Sequence, residues 1–139
     1  AGNPESDDEL ERMSCRPDFS ILMYPVISFT GEFQHSGSRK ALVGEDSTLM
    51  EYFSNEKQVT EDTPPAILIH ASDDKGVPVE NSIVYYQALI EKGVPAEMHI
   101  YPFGGHGFSL ALDQDQLSGW PDRCAEWLSA LGNEKNSKK

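Results

Sequence analysis

Basic side chains are scarce in this sequence. Eleven Lys and Arg stand against 23 Asp and Glu, a formal net charge of −12. Such a balance repels nucleic acid and anionic membrane at long range, so neither is expected as a partner. Cysteine is almost missing. Cys15 and Cys124 are the two present, and they have neither CxxC nor metal-ligand spacing. A disulfide between the two remains an alternative, and two buried thiols are the expected state. No apolar run approaches the roughly 18 residues of a membrane span. The first residues are small and acidic, and do not read as a signal peptide. No cluster of His, Cys, Asp and Glu has metal spacing, and no glycine-rich phosphate loop opens a helix. No metal or other cofactor is therefore expected.

What is present is one domain's length of chain, 139 residues, 38% of them hydrophobic. The stretch 5–13, "ESDDELERM", reads as a short helix with Asp7 or Asp8 as N-cap. Residues 18–26, "DFSILMYPV", form an apolar run without alternation, expected to be a strand buried on both faces. The Gly- and Ser-rich stretch that follows reads as loop. Residues 47–56 read as a short helix capped by Ser47. A second buried strand is expected over 65–74, "PAILIHASDD". Residues 78–93 carry the best helical pattern: Pro78 in the first turn, Ile83, Tyr86, Leu89 and Ile90 on one face, and Gly93 at the stop. Residues 95–103 alternate and read as a third strand. A last helix is expected over 119–132, with Cys124, Trp127, Leu128 and Leu131 as its stripe and Gly132 at its end. Flexible ends are expected over 1–15 and 133–139. Strands alternating with helices argue for an α/β fold with a mostly parallel sheet, its strands at about 19–26, 66–72 and 96–102.

In open α/β sheets the chemistry gathers at the carboxyl ends of the strands. Here two such ends carry pointed residues. After the second strand comes "ASDDKGVPVEN". Asp73 is the first side chain beyond the strand and the first choice for an acid that orients an imidazole; Asp74 is its rival. Turn formation and helix capping are the competing uses of both. After the third strand comes "YPFGGHGFSL", where Gly104, Gly105 and Gly107 surround His106, the candidate general base. The acid-before-base order matches that of α/β-hydrolases. His70 and His99 lie within strands and read as packed or hydrogen-bonded. His35 sits in a loop above this rim, a weak candidate for substrate contact.

With "RPDFSILMYPVIS", "TPPAILIHASDDKGVPVENS", "YYQALIEKGVPAEMHIYPFGGHGF" and the closing Trp helix, the chain resembles the carboxyl-terminal half of α/β-hydrolase esterases. The likeness is to the bacterial acetylxylan-esterase or carbohydrate-esterase-like group, akin to dienelactone hydrolases and the prolyl oligopeptidase catalytic domain. The resemblance implies a serine-type ester hydrolase with Asp73 as triad acid, His106 as base, and Lys75 facing the substrate. Its substrate would be a small-molecule or carbohydrate ester. The family's G-x-S-x-G nucleophile motif is not in the chain. "GFSLA" imitates it, but no strand leads into Ser109 and Ala111 holds the last position. The expectation is therefore a half-sheet that lacks its serine and exposes an apolar edge. Its partner would be the missing amino-terminal half or a second copy. The alternatives left open are a peptidase related to prolyl oligopeptidase and a non-catalytic fragment with an assembly role.

Overall fold

The computed structural model describes the backbone of residues 2–137 and side chains as far as residue 132. In chain order come α1 (Glu9–Arg12), β1 (Ser20–Met23), α2 (Ser36–Leu42), α3 (Ser47–Phe53), a 3₁₀ turn (Asn55–Gln58), β2 (Ala66–Ala71), α4 (Glu80–Glu91), β3 (Ala96–Tyr101), a second 3₁₀ turn (Leu117–Gly119) and α5 (Trp120–Ser137). The three strands form one parallel sheet in the order β1-β2-β3.

β2 is central, and all six of its residues are buried. Successive side chains of a strand point to opposite faces, and here the two faces meet different helices. Ile67, Ile69 and Ala71 pack with Trp120, Cys124 and Trp127 of α5 and with Phe108 and Leu117. Ala66 and Leu68 pack with Leu89 of α4 and with Val59 and Val94. His70 shares the α4 face by parity. Burying one Ile or Leu side chain is worth about 1.5–3 kcal/mol, so these two clusters hold the sheet between its helices. Register matches Ala71 to Tyr101 and Met23 to Ile69, which brings all three carboxyl ends to one rim.

Several expectations are corrected. β1 is shorter than the apolar run and is not buried on both faces: Phe19 and Ile21 are 40% and 39% exposed. The reason is its place at the edge of the sheet, where it has a neighbour on one side only. It ends at Met23, and the next residue, Tyr24, has a φ of +39° in the left-handed region. The stretch read as loop contains α2. The ring of His35 caps it, with Nδ1 accepting from the Ser38 N–H at 3.1 Å. Asp46, not Ser47, caps α3. Asp8 caps α1. On α4 the inward face is Asn81, Ser82 and Leu89, while Ile90 is half-exposed. Gly132 does not stop α5, which continues to Ser137; the isolated glycine adopts no positive φ there. Residues 138 and 139 of the expected flexible tail lie outside the described residues. Both cysteines are free, but Cys15 is exposed and only Cys124 is buried.

Candidate active site

The loop after β2 turns back at once. The Asp74 N–H donates to the Ala71 carbonyl, and Asp74 Oδ1 accepts from the backbone N–H groups of Gly76 and Val77, both at 2.8 Å. This is turn chemistry of the kind expected of an Asp here. The same carboxylate also does something else. Its Oδ2 accepts from His106 Nδ1 at 2.7 Å and lies 3.2 Å from His70 Nε2. The side chain is fully buried. Burial alone would push its pKa up. The Val77 N–H, His106 and the Gly76 N–H outweigh it, and the carboxyl lies below its ordinary value. Asp74 is thus held as a carboxylate.

Asp73 was the first choice for the partner of His106, and the structure corrects it to Asp74. The Asp73 side chain turns outward and its Oδ1 accepts the Gly105 N–H at 2.8 Å. It ties the two loops together through backbone and does not meet the imidazole. The rival reading of the Asp pair is the one the geometry selects, by a single residue.

The loop after β3 presents His106 with a side chain 45% exposed. Gly105 and Gly107, with φ of +63° and +77°, make the reversal that points the ring back over Asp74. Because Nδ1 donates to the carboxylate, Nε2 of a neutral ring is left as the acceptor. One wall of the ring is Tyr24, whose ring meets the imidazole edge-on at a centroid distance of 4.8 Å and meets Phe108 likewise. A buried acid that orients an imidazole, whose other nitrogen is open, is the arrangement needed to take a proton from a hydroxyl.

The remaining candidates separate from this pair. Lys75 is exposed, and among the described residues it makes no hydrogen bond or ion pair. His35 is occupied as the cap of α2 and also meets Ser38 Oγ. Ser109 has φ of +50°, yet its noted role is through its carbonyl, which accepts from Trp120 Nε1 at 2.9 Å. His99 pairs with Glu97 at 2.7 Å on the surface strand. Of the aromatic residues of the connection after β1, Phe29 is buried in packing, and Tyr52 and Phe53 are exposed and meet edge-on. An open groove of about 450 Å³ runs past Val26, Phe29, Leu42 and Phe53, away from His106. Among the described residues no three of His, Cys, Asp and Glu could hold a metal ion together. Among the described residues no helix is long and apolar enough to cross a membrane.

Sequence reasoning missed two members of the site. Tyr24 carries the strain and the aromatic wall; its place before Pro25 would favour an extended backbone, so the sequence gives no signal for its left-handed φ. His70 carries the second contact to Asp74; its parity with Ala66 and Leu68 gave only its face.

Known proteins show the same half of a fold. A solved acetyl ester-xyloside bifunctional hydrolase from Caldicellulosiruptor lactoaceticus superposes with a TM-score of 0.90 at 47% identity, over 94% of this chain and 48% of that one. An endo-1,4-beta-xylanase B of Butyrivibrio fibrisolvens is 44% identical over 120 residues, 85% of this chain and 18% of that protein. An acetylxylan esterase of Xylanibacter ruminicola is 42% identical over 124 residues, again 85% of this chain and 24% of its own length. The chain therefore spans about half of the solved relative and a quarter or less of the two others. Residues 16–133 match the model of the prolyl oligopeptidase family. With its parallel half-sheet, its Asp and His at neighbouring strand ends and a match over most of its length, the chain belongs to the prolyl oligopeptidase family of α/β-hydrolases.

Proposed function

We propose that this chain supplies the acid and the base of a serine-type ester hydrolase acting on acetylated carbohydrate, with the nucleophile on the complementary half of the protein. The observation that carries the reading is the 2.7 Å contact between His106 Nδ1 and the fully buried Asp74 carboxylate. The likeness to an acetylxylan esterase and to an acetyl ester-xyloside bifunctional hydrolase supports the substrate class.

In this reading His106 Nε2 takes the proton of a serine hydroxyl as its oxygen attacks the ester carbonyl. The resulting imidazolium is stabilised by Asp74, and the proton passes to the departing sugar oxygen as the acyl bond to it breaks. Water then repeats the sequence on the acyl-enzyme and releases acetate and the free serine. Asp74 stays ionised throughout. General-base help of this kind is worth about 10²- to 10⁴-fold. Ser109 is not the nucleophile, since it stands two residues beyond the ring's glycine turn with no hydrogen bond to His106 among the described residues.

The test is hydrolysis of p-nitrophenyl acetate and of acetylated xylan by the full-length protein. His106→Ala should lower kcat by at least about 10³-fold on both. A variant within tenfold of the parent, roughly, would remove the base from the mechanism. Faster cleavage of a prolyl peptide anilide than of either ester would move the substrate to the peptidase side of the family.

A further inference from the structure

His70 is a completely buried imidazole on the α4 face of β2 that the reaction above does not use. Its polar contacts are all accounted for. Nδ1 lies 2.7 Å from Ser82 Oγ, and Nε2 lies 2.9 Å from the Val77 carbonyl and 3.2 Å from Asp74 Oδ2. Both groups facing Nε2 are acceptors, so Nε2 must carry a hydrogen and share it between them. Nδ1 is then the acceptor, and Ser82 donates to it. The Ser82 side chain is itself fully buried on the first turn of α4. A line of donors thus runs from α4 through His70 to the oxygen that His106 uses.

We propose that His70 is a positioning residue for the acid–base pair, donating from Nε2 to Asp74 Oδ2 so that the carboxylate can present only one orientation to His106. The inference rests on the assignment of Asp74 and His106 as acid and base. Its physical content is a second point of attachment. Gly76 and Val77 hold Oδ1 from the loop, and that oxygen alone would act as a pivot. His70 holds Oδ2 from the strand, at the same oxygen that His106 meets. The carboxylate is thereby anchored to the rigid centre of the sheet as well as to its own turn. A structural histidine would need Ser82 and Val77 only; the donor aimed at the acid is the part that reaches the reaction.

Two variants of similar shape separate these roles in the full-length protein. His70→Gln keeps an N–H donor near the Nε2 position, and His70→Met removes it. With p-nitrophenyl acetate, His70→Met should lose about 10- to 100-fold in kcat with KM within about twofold, the loss that a misplaced group brings. His70→Gln should recover to within about threefold of the parent. Parent-like kcat in His70→Met, or equal losses in both variants, would overturn the proposal. Nitrogen-15 NMR of the unmodified protein reads the same claim without any variant. A protonated Nε2 and a bare Nδ1 on His70 are expected, and the opposite tautomer would overturn it. Asp74→Asn belongs in the series: if that variant keeps its activity, the acid–base assignment itself has failed. If it is inactive while His70→Met is parent-like, only the positioning role has.

Discussion

The loop after β2 and the loop after β3 each deliver one group to the same site, and they do so in opposite ways. The first is saturated. Each carboxylate oxygen of Asp74 has two hydrogen-bonding partners and the side chain is out of solvent. The second is sparse. Among the described residues His106 has one hydrogen-bonding partner, and it has a half-exposed ring and glycines with positive φ on both sides. The difference fits the roles proposed for the two groups. An orienting carboxylate contributes by not moving, so it is worth many bonds. A base must accept a proton and give it up, so one nitrogen has to stay unclaimed.

That contrast is sharpest between two adjacent residues. Asp74→Asn in the full-length protein should lower kcat for p-nitrophenyl acetate by about 10⁴-fold, because the amide favours the wrong imidazole tautomer. Asp73→Asn, which keeps an oxygen for the Gly105 N–H, should cost less than about tenfold. Equal effects would erase the distinction between the two loops.

A smaller effect probes the sparse loop. A Cβ on Gly104 would stand 2.8 Å from Leu117 Cδ2 and 3.1 Å from Ala71 Cβ. Gly104→Ala should therefore cost about 1–3 kcal/mol of stability through overpacking. At Gly105, where φ is +63° and an added Cβ would meet nothing within 4 Å beyond its chain neighbours, alanine should cost only the backbone strain, about 1 kcal/mol. Urea midpoints of the two variants measure the order, and a reversed order would mean that the glycines serve the turn alone.

The smallest effect concerns acid. The folded pKa of Asp74 is lowered, so its contribution to stability is fully present above the ordinary carboxylate value. It is lost as pH falls through the lower folded value. Asp74→Asn should flatten the fall in urea midpoint across that acid range and leave the slope near neutrality alone. A parallel acid profile in the variant would show that the bonds seen around this carboxylate carry no net preference for its charged form.

The sheet and its principal helices were legible because β2 is an apolar run broken only by His70 and α5 carries its stripe at helical spacing. β1 was misjudged for a reason outside sequence pattern: whether an apolar strand is covered depends on its neighbours. α2 escaped because its glycine and serines read as loop, and its cap is an unusual one, an imidazole. At the site, the choice of two strand ends and of His106 followed from topology and glycine spacing. The choice between Asp73 and Asp74 could not, since both begin an Asp-x-x turn with free backbone donors downstream. It is settled by which side chain points beneath the next loop, a matter of one peptide's direction. Lys75, placed by resemblance, faces solvent because the tightly bonded turn that buries Asp74 throws its successor outward.

The left-handed bend at Tyr24 has a geometric corollary. The residue that follows the outermost strand is also the one whose ring touches the base. The end of β1 and the ring of His106 are therefore neighbours on one rim. Any further strand laid alongside in the same direction, about 4.8 Å out, would bring its final residue up beside the imidazole.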